Sequence, residues 1–381
     1  MTALPDFRLE TYFSRWEFDA RHHLTASDAE TLPMADLLAL ADEEDRAAWT
    51  DLRLGYTRTY GDPGLRAAIA GTYTGLEAED VLCFAGAEEG IYLAMRVLLG
   101  PDDHAVVVTP NYQSAETVPL SLCEVTGVAL DPDRGFALDL AAIEAALRPN
   151  TRVVSVNFPN NPTGALLPEA DFRRLVELCD ARGIRLFSDE VYRGLELDPA
   201  ATLPQAADLS ARALSLGVMS KSYGLPGLRV GWIACRDHEL LSRLERAKHY
   251  TTICNAAPSE ILARIAVKAR ETILARNRGI IAANLPHFER FFAEFDDLFS
   301  WSAPQGGCVC FPRYLGPGSV EDFCAALVQE AGVLLLPADN YRSELTSTPT
   351  DRFRLGVGRL DAPEALDAFA AWLRHRIRVI E

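Results

Sequence analysis

Lysine is nearly absent: only Lys221, Lys248 and Lys268 stand among the 37 basic residues of the 381-residue chain. Any chemistry that needs a primary amine therefore has three candidates. Acidic residues outnumber basic ones 54 to 37, a net charge of −17, and no segment gathers a basic face. A nucleic-acid or anionic-membrane partner is therefore not expected. No apolar run approaches the ~18 residues of a membrane span, and the N-terminal residues lack the pattern of a secretory leader. The eight cysteines include no CxxC pair and the seven histidines no HxxxH pair. Structural zinc is therefore not expected, and the thiols read as reduced core residues of a cytoplasmic protein. A GxSxG turn is also missing, which removes the serine-hydrolase reading.

What is present is a recurring alternation. Short β-branched or apolar runs at Ala105–Thr109, Val153–Phe158, Ile184–Ser188, Ala213–Val218 and Val230–Ala234 are separated by segments of helical periodicity. That pattern predicts an α/β layered domain with a largely parallel sheet. Pro168, the buried-type positions Phe172, Leu175, Val176 and Cys179, and Gly183 mark one intervening helix from start to cap. After about residue 270 the alternation fades into a long helical stretch, a short strand Val333–Leu336 and a final helix opened by Asp361 and Pro363, with Leu366, Phe369, Leu373 and Ile377 on one face. The expected division is a large domain over residues 45–270 and a smaller α+β domain from 1–44 and 271–381.

Four segments carry side chains suited to chemistry. In LGVMSKSYGLPGLRVGW an apolar run ends at Ser220 and Lys221 and a Gly/Pro turn leads to Arg229, so this lysine lies at the mouth of a sheet. Lys248 and Lys268 sit in helical patterns and read as surface cations. The strand in IRLFSDEVYR delivers Asp189 and then Tyr192 at its carboxyl end, where open α/β sheets bind ligands. VNFPNNPTG brings Asn161 to another strand end, though turn chemistry alone would account for it. AGAEEGIYLAMRVLL places Ala87 and Glu88 at a helix start, where unpaired N–H groups suit a phosphate.

Together these motifs resemble the fold type I pyridoxal-phosphate enzymes, in particular the class I and II aminotransferases. The resemblance implies a central, mostly parallel seven-stranded sheet flanked by helices, with pyridoxal 5'-phosphate as cofactor. It makes Lys221 the Schiff-base lysine and proton shuttle, Asp189 the partner of the pyridine nitrogen, and Tyr192 and Asn161 the donors to the phenolic oxygen. Arg229, Ser220 and the N–H groups near Ala87 and Glu88 match the phosphate cup, and Tyr112 in TPNYQS matches the residue stacked on the ring. Tyr56 in GYTRTYG resembles the tyrosine that reaches the neighbouring subunit's phosphate, which implies a homodimer. Arg354 in RFRLGVG resembles the arginine that grips the substrate carboxylate. The implied activity is transfer of an amino group from an L-amino acid to a 2-oxo acid. A β-elimination or cyclisation enzyme, such as a carbon–sulfur lyase or a capreomycidine synthase, would use the same cofactor residues and stays open.

The chain departs from the resemblance in three places. Val218 stands where many members carry a serine. Glu88 puts a carboxylate beside the expected phosphate, so its side chain must turn away. The Gly-rich N-terminal segment is replaced by HLTASDAETLP, where Ser27, Asp28 or Glu30 could face the substrate side chain. An acidic residue there would select a cationic or polar amino acid.

Overall fold

The computed structural model describes residues 3–380, with side chains through Arg376. Seven strands form the central sheet: β1 (Val81–Phe84), β2 (His104–Thr109), β3 (Glu124–Ala129), β4 (Thr151–Asn157), β5 (Arg185–Asp189), β6 (Leu214–Val218) and β7 (Gly231–Ala234). They lie in the order β1-β7-β6-β5-β4-β2-β3. Strands β2 to β6 run parallel to their neighbours, and β7 runs antiparallel to both β6 and β1. All five apolar runs read from the sequence are strands of this sheet. Strand β3 is a half-exposed edge strand containing Gly127 and lacks the continuous apolar run of a buried parallel strand, while β1, the short buried run VLCF, is a strand the sequence reading did not single out.

The helices that shape the site are α1 (Arg8–Trp16), α2 (Ala87–Leu98), α3 (Ser114–Leu120), α4 (Glu169–Ala181), α5 (Arg270–Glu294) and α6 (Ala362–Ile380). In α4 the apolar positions Phe172, Leu175, Val176 and Cys179 are buried. Pro168 precedes the first turn, and Gly183 takes the left-handed conformation, φ 67°, that ends the helix. Leu366, Phe369 and Leu373 of α6 are buried together, while the side chain of Ile377 lies outside the described residues.

The C-terminal third is tied to the N-terminal segment by backbone pairing. The run expected as one strand, Val333–Leu336, divides between two sheets. Val333–Leu334 pairs in parallel with His22–His23, and Leu336–Pro337 pairs antiparallel with Phe353–Gly356, the strand that carries Arg354. Residues 24–30, following the first of these pairs, pass over the carboxyl ends of the central strands. Among the described residues no helix is long and apolar enough to cross a membrane, and no group of His, Cys, Asp and Glu could hold a metal.

Lys248 corrects the sequence reading. It ends the helix His238–Lys248, yet it is buried, because that end abuts β1 and the preceding loop. Its Nζ donates to Thr59 O at 2.8 Å, Cys83 O at 2.7 Å and Asn255 Oδ1 at 2.8 Å. Three acceptors satisfy the three donors of an ammonium, which is the condition for burying one. Lys268, by contrast, remains partly exposed and pairs with Asp42 and Asp45, each at 2.9 Å.

Candidate active site

Parallel strands deliver their last residues to one edge of the sheet. Asn157 ends β4, Asp189 ends β5, and Lys221 follows β6 by three residues. A cleft of 880 Å³ opens there, lined by Lys221, Asp189, Tyr192, Asn161, Tyr112, Ala87, Glu88, Ser220, Arg229 and Arg354. Of the residues singled out from the sequence, Tyr56 stands apart: it is 92% exposed and does not line the cleft.

Lys221 lies on the cleft floor, where its Nζ donates to Ser27 Oγ at 2.8 Å. Burial holds its ammonium below the usual lysine range, opposed by Asp28 and reinforced by the Arg354 cation. The carboxyl group of Asp189 is buried and accepts one hydrogen bond, from Val191 N at 3.2 Å. Burial pushes it up to about 7, against the Val191 N–H and Lys221, which favour the charged form. A carboxylate so placed calls for a cation beside it. Behind it, Asn157 Nδ2 donates to Asp189 O at 3.1 Å while Asn157 Oδ1 accepts from Asn161 N at 2.8 Å. The two strand ends are thereby locked together.

A cup forms where α2 begins. Gly86 precedes it with φ 95° and no side-chain cap, so the first N–H groups face outward from the helix end. The guanidinium of Arg229 closes one side; its Nη1 contacts Ser220 Oγ at 3.4 Å, and its own backbone is left-handed at φ 50°. A Cβ on Gly86 would lie 2.5 Å from Arg229 Nη2, and one on Gly231 would lie 2.7 Å from Gly86 C and 2.9 Å from Ala87 N. Only glycine lets helix, strand and arginine converge this closely. The Glu88 carboxylate, which also lines the cleft, accepts from Ser114 Oγ of α3 at 2.7 Å.

At the opposite end Arg354 is 1% exposed. Its Nη2 donates to Thr25 O at 2.7 Å and its Nη1 to Asn161 Oδ1 at 3.2 Å and to Tyr341 OH, while its buried Nε has no partner. Such a guanidinium is short of an acceptor, and a carboxylate would supply it.

The loop that replaces the Gly-rich segment is part of the site. Ser27 O accepts from Tyr192 OH at 2.7 Å, in addition to the Lys221 contact of its hydroxyl. Asp28 and Glu30 also line the cleft, and both carboxylates already have partners. Arg359 Nη2 binds both oxygens of Asp28, at 2.9 and 2.8 Å, and Glu30 Oε2 accepts from Leu360 N at 2.9 Å. Their charges are used in holding the loop. Sequence reasoning missed Asn157, Tyr341 and Arg359; Asn157 alone carried a signal, as a polar residue closing an apolar strand.

A family model for class I and II aminotransferases matches residues 24–369. The chain belongs to that family. Capreomycidine synthase of Streptomyces vinaceus is 31% identical to it over 365 residues, 93% of this chain and 90% of that protein. A probable N-succinyldiaminopimelate aminotransferase of Mycobacterium tuberculosis is 30% identical over 74% of this chain and 73% of its own length. Among solved structures, a PLP-dependent aminotransferase from Streptococcus suis superposes with TM-score 0.90 at 28% identity, covering 98% of this chain and 99% of that one. The PLP-dependent cyclase OrfR superposes with TM-score 0.88 at 27% identity, covering 99% of each. This aminotransferase-family chain is thus a pyridoxal-phosphate enzyme of fold type I. Its cleft fits the cofactor: the glycine-bounded cup suits the phosphate, Asp189 a protonated ring nitrogen, and Lys221 the aldehyde.

Proposed function

We propose that this chain transfers the α-amino group of an L-amino acid to a 2-oxo acid. The observation that carries the reading is the convergence on one cleft of a lysine amine, a buried carboxylate and a guanidinium with an unpartnered Nε. When bound, the cofactor draws electrons from the substrate α-carbon through its protonated ring. Lys221 Nζ, whose depressed basicity leaves more of it as neutral amine, would hold the cofactor at its aldehyde and, once the substrate amine had displaced it, would carry the proton from the substrate α-carbon to the former aldehyde carbon. Asp189 keeps the ring nitrogen protonated, and that cation in turn restores the charge of Asp189. Tyr192 and Asn161 would hold the phenolic oxygen, Arg229, Ser220 and the N–H groups of Ala87 and Glu88 would hold the phosphate, and Tyr112 would cover the ring. Arg354 takes the substrate carboxylate in a two-pronged pair, which fixes the α-carbon over Lys221. Tyr56 completes the phosphate site of a second copy in a homodimer.

A second reading is favoured by one observation, the 31% identity to a capreomycidine synthase along almost the whole chain. In that reading the same residues labilise the α-proton, and a β-substituent leaves or a ring closes. The test loads the protein with pyridoxal phosphate and follows a panel of amino acids with and without a 2-oxo acid, assaying ammonia, oxo acid and new amino acid. Product only with the acceptor, and no ammonia, is the outcome expected of a transaminase. Conversion without any acceptor would move the assignment to elimination or cyclisation, and conversion of no amino acid would overturn both. Lys221→Ala should abolish turnover in either case.

A further inference from the structure

Beyond Arg354 the cleft is bounded by α1 and the residue that caps it. Glu10, Phe13 and Glu17 all line the cleft, and Glu10 and Glu17 are seven residues apart, two helical turns, so they share one face. Phe13 lies between them in sequence, with its ring 6.0 Å from the Arg354 guanidinium carbon. The face therefore runs from the carboxylate-binding arginine, along an aromatic surface, to two carboxylates. A ligand with a carboxylate at one end and an apolar stem would lie along it.

The charges of the cleft pair off unevenly. Arg359 is taken by Asp28, and its contact with Glu30 is 3.8 Å. Glu88 is held by Ser114, while Lys221, Asp189 and Arg229 belong to the cofactor end. What remains, among the described residues, is Glu10, whose Oε1 accepts the neutral Tyr112 hydroxyl at 3.0 Å, Glu17, whose carboxylate has neither a hydrogen bond nor an ion pair, and, away from α1, the exposed Asp361. The other charged groups near Glu17 are Asp28, Arg359 and Lys221; burial and the charges of Glu10 and Asp28 raise its carboxyl above the usual range, and the two cations oppose them. Together with the unpartnered Nε of buried Arg354, this gives the cleft a buried cation that lacks an acceptor at one end and, at the other, exposed Glu10 and half-buried Glu17, carboxylates with no cation in direct contact.

We infer that Glu10 and Glu17 form the side-chain recognition end of the cleft, selecting amino acids whose side chain ends in a cation, guanidinium or ammonium. The inference rests on the reading of the cleft as an amino-acid site and names its substrate class. The stem lies against Phe13, and the terminal cation meets the two glutamates.

The experiment measures kcat/KM of the cofactor-loaded enzyme for arginine against citrulline and for lysine against norleucine, with inhibition by 4-guanidinobutanoate and by pentanoate measured alongside. Each cation should exceed its neutral counterpart by about tenfold or more, roughly 1.4 kcal/mol. The stronger of the two cationic donors distinguishes guanidinium from ammonium. Glu10→Gln and Glu17→Gln should each shrink the ratio through KM, and the double variant should bring it near unity. Cofactor retention, seen in the visible absorption band, shows that these variants remain folded. Equal handling of charged and neutral donors, or a ratio that survives the double substitution, would overturn the inference. Equal inhibition by the two carboxylic acids would overturn charge recognition alone, whereas failure to convert any amino acid would sink the reading of function on which it rests.

Discussion

Asp189 shows how a single residue can cost the fold what it gives the site. Its folded-state value of about 7 lies above its ordinary 3.8, so between these pH values the folded chain holds a proton that the unfolded chain has lost. Stability of the cofactor-free protein must then fall as pH rises from about 4 to about 7, by up to about 4 kcal/mol for this group. Glu190 and Glu260, likewise raised by burial to about 7, add to the same slope. Asp189→Asn should flatten it by its own share and make the cofactor-free protein more stable at pH 7, while weakening cofactor retention. Denaturant melts at pH 5 and pH 7 decide this; an unchanged slope would show that Asp189 is charged in the free protein. Arg354 supports a second prediction: Arg354→Lys keeps the charge but loses the fork, about 1.5–3 kcal/mol of charged hydrogen bonding, so KM for the amino donor should rise roughly 10- to 100-fold. Residues at strand ends, Lys221, Asp189 and Asn161, were legible because a strand's carboxyl end announces itself in sequence. Tyr341 and Arg359 were not, because the loops that bring them are placed by tertiary packing. Lys248 was misread for the same reason: helical periodicity does not say that a helix end abuts a strand.

At the scale of elements, the cup at the start of α2 is made by close approach rather than by any one side chain. Strand β7 and the start of α2 touch through Gly231 and Gly86, and the stretch after Lys248 braces the same corner. Asn255 Nδ2 donates to Phe84 O at 2.7 Å, and Thr252 Oγ1 donates to Glu89 Oε1 at 2.8 Å. Gly231→Ala would push backbone against backbone, with no flexible side chain to yield, a cost of about 1–3 kcal/mol. The expected outcome is a protein that folds with a lowered melting temperature and binds pyridoxal phosphate several-fold more weakly, read by fluorescence titration. Unaltered affinity would mean that the cup adjusts without this contact. The parallel core of the sheet was readable from β-branched runs, but the short β1 and the edge strand β3 were not. The run of β3 is half exposed and broken by Gly127, and that of β1, VLCF, is apolar but too short to tell from a buried helix segment.

At the scale of the whole molecule, one copy leaves an unusual surface uncovered. Leu54 is 84% exposed, Tyr56 92% and Tyr250 94%, and large apolar side chains this open on flanking loops call for a covering surface. If Tyr56 serves the phosphate cup of a second copy, the two lesions Tyr56→Ala and Lys221→Ala must complement. The Tyr56→Ala subunit keeps its lysine and receives an intact tyrosine from its Lys221→Ala partner, so one site of each mixed dimer is whole. Random reassortment of equal amounts makes half the dimers mixed, and activity should recover to roughly a quarter of the unmodified level per mole of total protein. Two substitutions within one self-sufficient subunit could never complement. A mixture no more active than Tyr56→Ala at half concentration, after subunit exchange verified by mass spectrometry, would therefore place Tyr56 outside the site, and the exposed loops would need another partner.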